Sequence, residues 1–195
     1  KEWVEKAEQN SWIVPKARFG LFPAQADGDE VVFYESEKKE KELGRFNFDL
    51  CIGKGRKDKF SIGQYFHSVE SGQLDAIGLQ ITTAGIGVEA GIKSLKDQND
   101  SESALYLQGL SDRVAEDMAE YIHQLLRTRA GYKKENRGQR YSPGYPALTN
   151  LKGNSIIWDA LGAEDLGVTL TDANEFYPPS TTAAVICFHK DASYS

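Results

Sequence analysis

Charged, aromatic and conformationally unusual residues are concentrated in the segment from Arg137 to Pro146, which reads RGQRYSPGYP. Arg140 could pair with a carboxylate or phosphate through the two-pronged face of its guanidinium group. Tyr145 offers a flat aromatic face with a polar end. Gly144 can adopt a positive φ and lets a ligand approach the backbone. This composition is typical of a rigid extended loop that binds a small anionic or zwitterionic ligand.

The proline and glycine residues of this segment also restrict its backbone. Proline has no N–H and holds φ at about −65°, so neither a regular helix nor a central strand is expected here. The competing interpretation is an ordinary surface loop that carries solvated arginines. Because many loops are only connectors, composition alone favours that interpretation over a ligand-binding loop.

Other signatures of catalytic or cofactor chemistry are weak in this sequence. The three histidines are scattered and Cys51 and Cys187 lie far apart, so no zinc-type spacing arises. The glycines of the basic segment 53–59 lack the spacing of a phosphate-binding loop, and neither GxGxxG nor GxSxG opens a helix. The 29 acidic residues form many carboxylate pairs, none of them distinguished by its context. The residues therefore favour a small-molecule binding module with no metal and no catalytic side chain of its own.

Composition sets the class of protein. The chain has 195 residues, of which 40% are hydrophobic and 27% charged, as in ordinary globular domains. A formal net charge of −6 argues against a general nucleic-acid binder. No apolar run approaches the roughly 20 residues that cross a bilayer, and no signal-peptide pattern opens the chain. We therefore expect a cytoplasmic protein with buried, unpaired thiols and no membrane partner.

Hydrophobic patterning predicts the elements that must position the loop. Strands are predicted at 31–34, 45–50, 76–83, 168–171 and 182–188, and short helices at 1–10 and 156–161. Residues 19–24 form a short apolar segment that Pro23 is expected to close. We predict a single α+β domain over 1–195, with a mostly antiparallel twisted sheet and one long helix packed against it. The helical pattern that begins at Lys1 suggests an excerpt of a longer protein.

The long helix is predicted from Ser101 to Arg129. Its apolar stripe recurs at spacings of three and four and comprises Leu107, Leu110, Val114, Met118, Tyr121, Ile122 and Leu125. Glu116 and His123 lie on the same helix. A lone helical histidine is more often packed or solvated than a ligand, so His123 is not predicted to bind one.

The pattern RxxxGYPA at residues 140–147 resembles the motif of the activation domain of cobalamin-dependent methionine synthase. Three further matches keep the family's order along the chain. Residues 20–29 are similar to its GLFPA…GD segment, residues 110–123 to its ALADRLAEAFAEYLH helix, and residues 170–194 to its LTES…WP…SHPDSKY ending. The resemblance therefore runs through the whole chain.

This resemblance implies a reactivation role within an enzyme, methionine synthase, and the isolated domain is not expected to catalyse alone. The domain would bind S-adenosylmethionine and dock over the cobalamin-binding domain. An electron from flavodoxin or an equivalent reductase and a methyl group from the sulfonium would then regenerate methylcobalamin. The positions that the resemblance assigns to the ligand are Arg140, Gly144, Tyr145, Tyr194 and Ser195, with Glu116 as a helix carboxylate.

The sequence also departs from the family pattern. The family's IDWTPFF segment, whose aspartate holds the ligand's ammonium group, is not found in this sequence. Gln64 replaces an acidic residue, the PACP continuation becomes PALT at 146–149, and the connector before Arg140 is shorter. The alternative is therefore a truncated or stand-alone relative that docks a corrinoid protein or reductase without binding S-adenosylmethionine. A third possibility is an unrelated ligand in the same loop.

Overall fold

The computed structural model describes residues 2–52, 59–132 and 138–192. Part of the basic segment 53–59 and the first residue of the candidate loop, Arg137, lie outside this range. The strands are β1 (Lys16–Asp27), β2 (Glu30–Tyr34), β3 (Glu42–Asn47), β4 (Asp75–Thr83), β5 (Gln139–Tyr141), β6 (Thr169–Leu170), β7 (Phe176–Tyr177) and β8 (Thr181–Cys187). The helices are α1 (Glu2–Gln9), α2 (Gly87–Asp97), α3 (Ser101–Arg129) and α4 (Lys152–Leu161).

Six of these strands form one sheet in the order β3-β2-β1-β4-β8-β5. Each neighbouring pair is antiparallel. The short strands β6 and β7 pair separately. The predicted α+β domain with an antiparallel sheet and a long helix is confirmed.

Both faces of the sheet are covered. One face carries the largest apolar cluster, in which Phe33, Phe46, Leu79 and Val185 pack with Ile157 of α4. The opposite face lies under α3, and α2 packs beside that helix. This double cover explains why β4 is buried from Ile77 to Thr83 although its sequence alternates.

The bounds of α3 agree with the sequence prediction, because its ends carry clear signals. The side chain of Asp100 caps the first turn by accepting a 3.0 Å hydrogen bond from the Ser103 N–H. Gly131, just past the last turn, has a φ of 78°.

The buried face of α3 differs from the predicted stripe. Leu107 and Ile122 are buried as expected, but Tyr121 is 65% exposed. Three of the other buried positions hold small residues, Ser111, Ala115 and Ala119. They let the helix lie close to the sheet, where Thr82 Oγ1 donates a 3.1 Å hydrogen bond to the carbonyl of Ala115.

Two further predictions on the strands were wrong. Pro23 does not close a short segment but lies inside the twelve-residue β1, and the pairing with β2 begins just after it, at Ala24. Strand β3 ends at Asn47, so Leu50 is 64% exposed. The chain leaves the sheet there because the Asp49 N–H donates a 3.0 Å hydrogen bond to the carbonyl of Ala147.

Helix α2 was missed because two glycines lower its helical propensity. Gly91 is required by packing, since a Cβ there would lie 2.7 Å from Cγ of Trp12. None of the helices in the described residues combines the length and the apolar composition of a membrane span. Cys51 and Cys187 are buried free thiols, as predicted.

Candidate functional site

The edge strand β5 positions Arg140. Its neighbour Tyr141 is fully buried in the main core, where its ring meets that of Phe48 at a centroid distance of 6.1 Å. Successive side chains of a strand point to opposite faces, so Arg140 emerges on the face that α3 covers. Gly138, with a φ of 67°, opens the strand where a Cβ would collide with the carbonyl of Cys187.

Two carboxylates of α3 flank the guanidinium group of Arg140. Its Nη2 atom lies 3.7 Å from Oε2 of Glu116 and 3.6 Å from Oε2 of Glu120. Both distances exceed the usual length of an N–H···O hydrogen bond, about 2.7–3.2 Å. The side chain of Arg140 is 22% exposed, so it is held between the two acids while remaining accessible to a ligand.

The residues after β5 form a closed turn. Gly144 N–H donates to the carbonyl of Leu148, and Leu148 N–H donates to the carbonyl of Tyr145, each at 2.8 Å. Leu148 is buried, whereas Tyr145 is 58% exposed. The turn is thus anchored on its inner side and presents Tyr145 outward.

Two adjoining cavities open beside this turn. The smaller, about 350 Å³, is lined by Glu116, Gln139, Arg140, Ser142, Tyr145 and Thr182. The larger, about 500 Å³, shares four of these residues. It continues along Asp112 and Ala115 of α3, Asn154 of α4 and the segment from Glu175 to Ala183. Together they form a cleft between α3, the turn after β5 and the start of β8.

Hydrogen bonds fix the far wall of the cleft. Asp112 Oδ1 accepts from Gln108 Nε2 at 2.9 Å and from Ser180 Oγ at 3.0 Å. Ser180 is buried and its hydroxyl lies 2.7 Å from that of Ser111. This network joins α3 to the residue that precedes β8.

The structure brings together three of the predicted site residues, Arg140, Glu116 and Tyr145. Gly144 lies beside them. Its φ of 90° and the Leu151 side chain, 3.0 Å from where a Cβ would stand, explain why this position is a glycine without any contact to a ligand. The predicted positions Tyr194 and Ser195 lie outside the described residues.

Sequence reasoning missed several residues in the cleft or beside it. Glu120 and Asp112 stand four residues from Glu116 on either side, so helical spacing could have identified both. Asn154, Phe176 and Ser180 come from segments that carry no sequence signal for a site.

The cleft is suited to binding rather than proton transfer. It offers one guanidinium group for a carboxylate, carboxylates for a cation, and the rings of Tyr145 and Phe176 as apolar surface. Within the described part of the chain, no cluster of three or more histidine, cysteine or acidic side chains is arranged to hold a metal ion. The arrangement fits a small zwitterion with an additional apolar or aromatic group.

Comparison with known proteins identifies related chains. Residues 1–195 match the family described as vitamin B12 dependent methionine synthase, activation domain. The methionine synthase of Mycobacterium tuberculosis is 25% identical in an alignment of 217 residues. The alignment covers 98% of this chain and 18% of that protein. A crystal structure of the MetH reactivation domain bound to AdoHcy superposes with a TM-score of 0.87 at 24% identity. That match covers 100% of this chain and 64% of the crystallised chain, and it shows a shared fold.

Proposed function

The chain belongs to the family of activation domains of vitamin B12-dependent methionine synthase, and we propose that it binds S-adenosylmethionine in the cleft between α3 and the turn after β5. With that ligand in place it would cover the cobalamin of a partner domain. The observation that carries this proposal is Arg140, accessible in the cleft and flanked by Glu116 and Glu120.

These three side chains match the two charges of an amino-acid group. Arg140 would take the ligand's carboxylate through a charge-assisted, two-pronged hydrogen bond. Glu116 and Glu120, each less than 4 Å from the guanidinium, would take the neighbouring ammonium group. The carboxylates of α3 thus offer the partner that the family's upstream aspartate would otherwise supply.

The remaining surface of the cleft suits the rest of the ligand. Cavities of about 350 and 500 Å³ fall within the usual size range for small-molecule sites. Tyr145 and Phe176 supply aromatic surface for a nucleoside. Tyr194 and Ser195 remain ligand contacts that the family resemblance predicts.

The task of this chain is positioning. Cobalamin, bound by the partner domain, would supply a reduced cobalt that accepts the methyl group, and flavodoxin or an equivalent reductase would supply the electron. The side chains of the cleft would fix the sulfonium relative to that acceptor and exclude water, and none of them needs to gain or lose a proton.

The supporting experiment is calorimetry of the full chain with S-adenosylmethionine. Arg140→Ala should weaken binding at least tenfold, as loss of a charge-assisted pair costs about 1.5–3 kcal/mol. Arg113→Ala is the matched control, because Arg113 pairs with Asp117 on the exposed side of α3. Absence of binding to the folded wild-type chain would favour the alternative, a relative that docks a corrinoid protein or reductase without this ligand.

A further inference from the structure

Building on the proposed function, we propose that Asp112 makes the cleft select the positively charged sulfonium of S-adenosylmethionine over the neutral thioether of S-adenosylhomocysteine. Asp112 would then be a specificity-determining residue. Three features of Asp112 support this role: its position along α3, the hydrogen bonds that hold its carboxylate, and the charges around it.

Asp112 is in register with the residues that take the amino-acid group. Asp112, Glu116 and Glu120 follow one another at intervals of four, so they share one side of α3 at steps of about 6 Å. Arg140 lies between Glu116 and Glu120. The larger cavity continues from Glu116 along Ala115 to Asp112. A ligand whose carboxylate meets Arg140 and whose carbon chain follows that cavity therefore brings its sulfur toward Asp112.

Two hydrogen bonds hold the carboxylate of Asp112 in place. Its two donors within the described chain, Gln108 and Ser180, are both neutral, and no basic side chain there forms an ion pair with it. Arg113, the adjacent cation, binds Asp117 instead, with a shortest distance of 3.0 Å. An anion held by neutral hydrogen bonds is preorganised to attract a cation without reorganisation.

The charged side chains that line the surrounding cleft are also mostly negative. Three carboxylates, those of Asp112, Glu116 and Glu175, line the two cavities in the described structure, against one guanidinium group, that of Arg140. Once Arg140 is paired with the ligand's carboxylate, a net negative field remains for the rest of the ligand. A sulfonium is stabilised by that field and an uncharged thioether is not.

This difference matters because methyl transfer removes the charge. The methyl–sulfur bond breaks, its electron pair stays on sulfur, and the methyl group bonds to the electron pair of the reduced acceptor held by the partner. The sulfonium thereby becomes a neutral thioether. Asp112 attracts the reactant and not the product, so spent ligand is replaced by fresh ligand.

The test is the ratio of the dissociation constants for S-adenosylhomocysteine and S-adenosylmethionine, measured by calorimetry on the full chain. Asp112→Asn keeps an oxygen that accepts from Gln108 and Ser180 but removes the charge. It should lower the ratio about threefold to fivefold, chiefly by weakening S-adenosylmethionine. Glu102→Gln removes an equal charge from the first turn of the same helix, outside the cleft, and should leave the ratio unchanged.

Two further measurements keep the inference falsifiable if Asp112→Asn does not fold. Ser180→Ala removes one of the two donors to Asp112 and should lower the ratio partly. The wild-type ratio should also fall as salt is raised to about 0.5 M, because screening weakens charge selection. A ratio that is near one, or that neither Asp112→Asn nor salt changes, overturns the inference. If Arg140→Ala in that case weakens the binding of both ligands, the proposed function stands. If Arg140→Ala binds both ligands as tightly as the wild type does, the proposed binding mode itself is refuted.

Discussion

The carboxylate of Asp49 accepts two hydrogen bonds from Thr149. Its Oδ2 atom lies 2.8 Å from the backbone nitrogen and 2.7 Å from the hydroxyl oxygen of that residue. Asp49 follows β3, and Thr149 follows the turn that presents Tyr145. This contact therefore ties one wall of the cleft to the opposite end of the sheet.

Asp49→Ala should lower the free energy of unfolding by about 1–2 kcal/mol at pH 7, since it leaves two donors without their acceptor. The backbone N–H and then the hydroxyl of Thr149 lower the pKa of Asp49. A lowered folded pKa means that this stabilisation is complete above the ordinary aspartate pKa, about 3.9, and is lost as pH falls through the folded value. Urea unfolding at pH 7 and near pH 3 should show that the difference in unfolding free energy between the wild type and Asp49→Ala is smaller at the lower pH. The control is Asp159→Ala, which removes an exposed carboxylate of α4.

Glu116→Gln and Glu120→Gln should each weaken S-adenosylmethionine several-fold, and the double variant about tenfold or more, because the ligand's ammonium loses its partners. A deaminated analogue should bind the variants as well as it binds the wild type. Titration calorimetry of both ligands measures this, with Glu102→Gln in the first turn of α3 as the control. Equal losses for the two ligands would assign these glutamates to Arg140 alone.

Gly144→Ala and Gly109→Ala should change stability in opposite directions. Alanine at 144 must adopt a φ of 90° and press on Leu151, which should cost about 1–3 kcal/mol. Position 109 lies inside α3 with no atom within 4 Å of the added methyl group, so alanine there should add about 0.5–1 kcal/mol. Denaturant melts of both variants test this, and stabilisation by Gly144→Ala would contradict the geometry of the turn.

Gln80→Leu should stabilise the fold. Gln80 is 1% exposed in the middle of the sheet, and both polar atoms of its side chain lack a hydrogen-bond partner in the described structure. Replacing it should add about 1–3 kcal/mol and raise the Tm by several degrees. Gln25→Leu is the contrasting variant, because Gln25 is equally buried but donates to the carbonyl of Gln73 at 2.5 Å, and its loss should destabilise.

The thiol of Cys187 should resist alkylation in the folded protein. Burial raises its pKa to about 12, and burial also raises the pKa of Cys51. The reactive thiolate is therefore scarce at pH 8. A thiol reagent should label both cysteines quickly in denaturant, and in native buffer Cys51, which is 7% exposed, should react before Cys187. Fast native labelling in a Cys51→Ala variant would contradict this order.

Local patterning accounts for the elements that the sequence predicted. Helix α3 has a capping aspartate, a continuous helical period and a closing glycine, so its bounds follow from local signals. Strands β4 and β8 follow from alternation and β-branched residues. Helix α2 lacks such signals. Its Gly91 is required by close packing against Trp12, although glycine lowers helical propensity.

The site was predictable where it depends on one segment. Arg140 and Tyr145 lie in an unusual stretch of sequence, and Glu116 came from the family resemblance. Asn154 and Ser180 reach the cleft only because α4 and the start of β8 converge on α3. That convergence is a tertiary property that no local pattern encodes.

The alternation of β5 has a consequence for how this site can change. Arg140 and Tyr141 are adjacent, one at the cleft and one in the core, and their places are set by the pairing of Arg140 with Ile186 and Tyr141 with Val185. A deletion or insertion of a single residue within this strand would exchange them, burying a guanidinium group among aromatic rings and exposing a core tyrosine. Ligand recognition and folding therefore depend on the same strand register. Substitutions in β5 can alter the cleft, whereas a single-residue insertion or deletion in this strand would prevent folding and would not give a folded protein with weaker binding.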